Sequence, residues 1–151
     1  MTHDEAVKFF DQQQEDWNAR DAEALTSGHT DDGTIISPIF MTVRGRDEIL
    51  ESYRSLFLTF PDWQFRSQQL MVDGDRGAQE FVVHATHSDE LMGLKGSGRK
   101  FEIQGVLLFE MKDGLIALER RYYDFTGLLI QLGVLRGKPA RPESSGAAGL
   151  A

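Results

Sequence analysis

The sequence predicts an α+β domain in which N-terminal helices pack on a strongly curved antiparallel sheet and a short helix closes the chain. Three observations lead there. Apolar residues recur at helical spacing through the early part of the chain, long strands separated by turn signals follow from Trp63, and helical spacing returns after Asp124.

Each element has a local cause. Thr2 and Glu5 stand at capping-box spacing, and Ala6, Phe9 or Phe10, Gln13 and Trp17 then fall on one side of a helix. The run NARD interrupts it, and Asp21 is placed to cap a short second helix over Ala22 to Ser27, which Gly28 ends. The β-branched residues between Ile35 and Val43 flank Pro38, which suits a short edge strand or hairpin. After GRDE a third helix buries Ile49, Leu50, Tyr53, Leu56, Phe57 and Phe60, and Pro61 stops it. The turn signals VDGDRG at 72–77, GLKGSG at 93–98 and KDG at 112–114 divide the remainder into strands over 63–72, 78–88, 99–111 and 115–124. Such a series is an antiparallel meander. Gly105, inside an apolar stretch, marks a bulge or sharp bend, and Val106 to Phe109 do not alternate, so both faces of that strand are expected to be covered. Asp124 or Thr126 opens the last helix, through Leu128, Leu129, Leu132 and Leu135. One domain over 1–136 and a flexible tail over 137–151, rich in Gly, Pro, Ala and Ser, complete the organisation.

Composition excludes several kinds of function. The net charge of −8 opposes binding to a nucleic-acid backbone, because phosphate contacts need a clustered excess of Lys and Arg. Without cysteine there is no disulfide, thiolate metal site or thiol nucleophile. The start MTHDEAVKFFDQQQ has neither a basic leader nor an apolar stretch of signal-peptide length, and no later run reaches membrane-spanning length. The expectation is a cytoplasmic protein with no membrane partner.

The order of elements and four strings give the chain a family likeness. DWNARD at 16–21, PDW at 61–63, ATHSDEL at 85–91 and above all ERRYYDFTGLLIQLG at 119–133 resemble the SnoaL-like polyketide cyclase group of the nuclear transport factor 2-like (NTF2-like, cystatin-like fold) superfamily. The resemblance spans roughly residues 4–136. It implies a cone with a ligand chamber between helices and sheet, a homodimer formed across the outer face of the sheet, and no cofactor. It also implies an acidic residue doing acid/base work in an intramolecular aldol ring closure, at the position Asp124 occupies here, and a histidine nearby, matched by His87.

The residues themselves leave two roles open for Asp124. On a strand it shares a face with Leu118, Arg120 and Tyr122, and in an apolar chamber its carboxyl would be desolvated toward a pKa useful for acid/base catalysis. The plainer role is a helix cap for Thr126 and Gly127. His87 shares a face with Phe81, Val83 and Ala85 and could exchange a proton with Asp124 or an enolate, or simply be hydrogen-bonded in the core. His84 and His87 fall on opposite strand faces, so their HxxH spacing makes no metal site. His3 and His29 receive no role. Trp17, Trp63, Tyr53, Met41, Met92 and Tyr122 could line a site for a flat apolar ligand, and core packing accounts equally for Tyr53 and the methionines. Parity with Asp124 turns Arg120 toward the cavity, where it pairs with the carboxylate or holds an anionic group, and leaves Arg121 solvated. Glu102 and Glu110 are surface or interface charges.

Two functions follow. One is a cofactor-independent enzyme using general acid/base catalysis, by aldol-type cyclisation or related lyase or isomerase chemistry, on a polyketide-like or other apolar carbonyl compound. The other is a non-catalytic binding module with the same cavity. Isomerisation of the ketosteroid kind is disfavoured, because Ser37-Pro38 stands where that family carries an Asp-Pro base.

Overall fold

Local signals become elements in the expected order. The computed structural model describes residues 1–137, so all of the expected tail except Gly137 lies outside the described residues. Helix α1 spans His3–Ala19, α2 Ala22–Ser27 and α3 Gly45–Thr59, with strands β1 (His29–Ser37) and β2 (Met41–Arg44) between the last two. Strands β3 (Gln64–Asp73), β4 (Arg76–Thr86), β5 (Lys100–Lys112) and β6 (Leu115–Tyr123) follow, and α4 (Phe125–Gln131) ends the set. The capping box forms: Glu5 N donates to Thr2 Oγ1 and Thr2 N to Glu5 Oε2. Asp21 caps α2 by accepting from Ala24 N.

The string DWNARD locks the helices to the sheet. Trp17 is buried, Asn18 exchanges two hydrogen bonds with the Phe65 backbone, and Arg20 ends α1 in the left-handed region and donates to Trp63 O. The string PDW completes the joint, because Asp62 accepts from both the amide and the hydroxyl of Thr86.

The sheet order is β2-β1-β6-β5-β4-β3. It is curled but not closed. Consecutive strands from β3 to β6 pair antiparallel as expected, but β1 pairs with β6 in parallel, so the sheet is mixed and β1 lies inside it. Only β2 forms the edge beside Pro38. A turn signal reports the strand next in sequence, and a parallel pair requires a long crossover that leaves no local mark. The main core lies between the helices and the concave face, from Trp17, Leu25 and Ile49 to Phe81, Ile103 and Leu107. A smaller cluster of Ala6, Phe10, Phe109, Met111 and Ile116 seals one end.

For β5 the structure removes the expected bulge at Gly105 and leaves the second face, the one expected to meet a second subunit, uncovered within the chain. Burial along the strand alternates, with Leu107 and Phe109 buried and Leu108 exposed, so one face only is covered within the chain. At Gly105 the ladder is regular, and a Cβ there would stand 2.6 Å from the Phe81 ring and from Tyr122 O. Glycine is required for close approach, while the register shifts fall between His29 and Thr34, between Ser67 and Gln69 and between Glu110 and Met111. Among the described residues no helix is long and apolar enough to cross a membrane.

Candidate functional site

The bulge opposite Glu110 and Met111 decides which side chains enter the cone. Ile116 of β6 pairs with Met111 and points inward, but Leu118, two residues on, pairs with outward-facing Glu110. The extra residue reverses the alternation. Beyond it Glu119, Arg121 and Tyr123 face the core, while Arg120 and Tyr122 face out. The parity expected from the sequence is therefore inverted. Arg120 borders an open hollow of about 410 Å³ on the outer face, with Met71, Leu108 and Leu118, and Tyr122 is 56% exposed.

Inside, the inverted face builds a buried polar chain. The Arg121 side chain is 10% exposed and that of Glu119 3%. Arg121 Nε donates to the Glu119 carboxylate, Arg121 Nη2 donates to Tyr53 Oη at 3.0 Å, and Tyr53 Oη lies 3.1 Å from His29 Nε2. The tyrosine oxygen accepts from Arg121 and its hydroxyl lies within hydrogen-bond distance of His29 Nε2, while His29 Nδ1 is buried without a partner among the described residues. Burial, with Arg121 and Arg46 nearby, outweighs the pull of Glu119 and lowers the His29 pKa to about 4. That imidazole is neutral at pH 7. Burial likewise raises the Tyr53 and Tyr123 hydroxyls well above the usual phenol range. The guanidinium stacks on Trp17 and Tyr53, 5.3 and 5.4 Å from the two rings, and so is held by aromatic faces as well as by its carboxylate.

Beside this chain lies a narrow chamber of about 30 Å³, walled by Trp17, Trp63, Phe65, Phe81, Tyr123 and Arg121 together with Ser37, Ile39, Phe40, Leu56, Ile103 and Leu107. Trp17 stacks on Phe65, and Phe65 on Phe81, at centroid distances of 5.3 Å in both pairs. Two donors on residues that line the chamber make no hydrogen bond among the described residues: Trp63 Nε1–H, which is fully buried, and Arg121 Nη1, which is not.

The other residues singled out in the sequence go elsewhere. Asp124 is exposed and caps α4, its Oδ1 accepting from Gly127 N at 2.8 Å, so its carboxylate serves the helix start and is absent from the chamber wall. Asp124→Ala is expected to lose about 1 kcal/mol of stability in urea unfolding, with tryptophan fluorescence of the native state unchanged. His87 is buried, and its Nδ1 accepts from Ser97 N at 3.2 Å and lies 3.0 Å from Ser97 Oγ. Its Nε2 is unpartnered near Phe60, and the residue does not line the chamber. His84 faces the opposite way, in a surface pair with Glu102. Met41 and Met92 are 69% and 59% exposed, so neither lines the chamber. Trp17 and Trp63 do.

Sequence reasoning missed Glu119, Arg121, Tyr123 and His29. The pattern Glu-x-Arg was a usable signal, because residues two apart on a strand share a face and opposite charges there can pair.

Helices packed on a curled sheet, with an aromatic chamber and a buried arginine at its wall, make a domain of the NTF2-like fold. The family model for SnoaL-like polyketide cyclase matches residues 8–132, and the chain belongs to that family. Among solved structures it is similar to AclR of Streptomyces galilaeus, described as a candidate hydroxylase, at 23% identity and a TM-score of 0.79, covering 91% of both chains. It is also similar to IdmH of Streptomyces antibioticus, a candidate polyketide cyclase, at 27% identity and a TM-score of 0.71, covering 85% of this chain and 98% of that one. A third is TerC, co-crystallised with polyporic acid, at 15% identity and a TM-score of 0.71, covering 85% of this chain and 98% of that one. Comparison with curated proteins gives no match.

Proposed function

We propose that the chamber binds a small, largely apolar carbonyl compound and that the chain acts on it as a cofactor-independent enzyme. The observation that carries this reading is the pair of unanswered donors, Trp63 Nε1–H and Arg121 Nη1, in a wall that is otherwise mostly apolar. An oxygen acceptor completes them. A guanidinium already fixed by Glu119 and two aromatic rings needs no reorganisation to stabilise an enolate oxygen, which is the electrostatic part of an aldol-type ring closure or an isomerisation. Family membership, and the co-crystallisation of TerC with polyporic acid, support an oxygenated cyclic ligand.

A binding module with the same chamber is the second reading. One observation favours it: the lining contains neither a carboxylate nor an imidazole to move the proton. The exposed Met71, Leu108 and Tyr122 on the outer face support the homodimer that the family likeness implies.

The test uses 2-tetralone, an enolisable ketone, and tetralin, its hydrocarbon counterpart. The ketone is expected to quench tryptophan fluorescence with about tenfold higher affinity than tetralin. Trp63→Phe, which keeps an aromatic ring and removes the N–H, should weaken ketone binding roughly fivefold and leave tetralin unaffected. Equal affinity for the two compounds would sink the carbonyl reading. NMR in D2O separates enzyme from binder: accelerated exchange of the α-hydrogens of the bound ketone supports catalysis, and an unchanged rate supports binding alone.

A further inference from the structure

The free volume of the chamber, about 30 Å³, has room for one or two waters. A site for an organic ligand needs roughly 300 Å³ or more. A carbonyl compound can therefore enter only if part of the wall moves, and the wall is not uniformly held.

Most of it is rigid. Trp17 comes from α1 and Leu56 from α3, while Phe65, Phe81, Ile103 and Leu107 come from β3, β4 and β5, and all are 6% exposed or less. Moving any of them breaks a helix contact or the central ladder. The remaining side of the chamber is different in kind. Ser37 is the last residue of β1, Ile39 and Phe40 lie in the turn that follows it, and those two are only half-buried against the core. The strand beyond them, β2, has four residues, is mostly exposed and pairs with β1 alone.

Two further features single out this turn. Phe40 N donates to Ser37 Oγ at 3.2 Å, a side-chain hydrogen bond across the turn. Met41, the residue that joins the turn to β2, adopts φ 59, a left-handed conformation that a side chain of this kind disfavours. The turn is thus an edge segment with a strained junction, and it carries apolar side chains into the chamber. Segments with few buried contacts at a sheet edge open at lower free energy than the core they cover.

We propose that the turn from Ser37 to Met41 is the entrance of the chamber, and that Phe40 is the residue whose displacement sets the size of ligand admitted. The proposal rests on the chamber being the ligand site. Ile39 and Phe40 swing outward with the end of the edge strand, the aromatic stack of Trp17, Phe65 and Phe81 stays fixed, and the ligand takes the place of the Phe40 ring.

Stopped-flow fluorescence with 2-tetralone tests this on the full chain. Phe40→Ala is expected to raise the association rate constant about tenfold, and Ser37→Ala, which removes the turn hydrogen bond together with one hydroxyl of the wall, to raise it roughly threefold. Hydrogen exchange gives a second measure that needs no substitution. The Phe40 amide should exchange faster than the amides of β4 and β5 in the free protein and slow when 2-tetralone binds. Binding by the natural chain with association rates unchanged in both variants overturns the entrance while leaving the chamber reading intact, and so does a Phe40 amide protected as strongly as the central strands. No binding of 2-tetralone to any of the three proteins overturns the chamber reading, and the entrance with it.

Discussion

Replacing Arg121 by methionine is expected to cost roughly 3–5 kcal/mol of folding stability, because it leaves the Glu119 carboxylate buried without its cation. Tyr53 also loses the Nη2 donor, and the ring of Trp17 loses the guanidinium stacked on it. Removing both charges is a different matter. In Arg121→Met with Glu119→Leu no ion is left in the core, and a buried pair exchanged for apolar residues of similar volume is often close to neutral. The double variant should thus recover most of what the single one loses, a coupling that urea unfolding of the four proteins measures as a double-mutant cycle. A single substitution costing less than about 1 kcal/mol, or a double variant no more stable than Arg121→Met, would show that the pair is not the buried unit described here. Recovery in the double variant would mean that stability does not require the pair, which agrees with the proposed role of the guanidinium toward a ligand oxygen.

The second large effect concerns acid. His29 is fully buried, with its ring beside the Tyr53 hydroxyl and its carbonyl accepting from the Arg46 guanidinium, and burial pushes its pKa down from 6.5 to about 4. Between those values the unfolded chain binds a proton that the folded chain refuses, so protons favour unfolding in that window. Stability contributed by this site is complete above about pH 6.5 and falls away as pH drops toward 4, by roughly 3 kcal/mol. In His29→Gln, which keeps an acceptor for Tyr53, that part of the acid limb should flatten. Urea midpoints measured from pH 7 to pH 4 check this. Parallel curves for the two proteins would assign the acid sensitivity to other groups.

Much of this protein could be read from its residues, and the errors have one origin. The capping box at Thr2 and Glu5, the Asp21 cap, the stop at Pro61 and the turn sequences before β4 and β6 are local chemistry, settled within a few neighbouring residues, and the structure has each of them. The buried sides of α1 and β4 were legible for the same reason, since a helix or regular strand repeats its pattern without help from the rest of the fold. Beyond β5 that reasoning stopped holding. A single extra residue between Ile116 and Leu118 reversed the alternation of β6, and with it the arginine that enters the cone. Arg120 and Tyr122 went to the outer face, Arg121 and Tyr123 to the inner, and Asp124 took the cap of α4, the plainer of the two roles left open for it.

The sequence by itself thus determined the class of fold, the order of its elements and the strings that place it in its family, because these depend on short-range periodicity and capping. It also supplied Trp17 and Trp63 as chamber residues. Tertiary structure alone decided the polar centre. The parallel pairing of β1 with β6, the bulge opposite Glu110 and Met111, and the meeting of His29, Tyr53, Glu119 and Arg121 join positions far apart in the chain. Burial, which gives that centre its electrostatics, is a property of the assembled core and of no single segment.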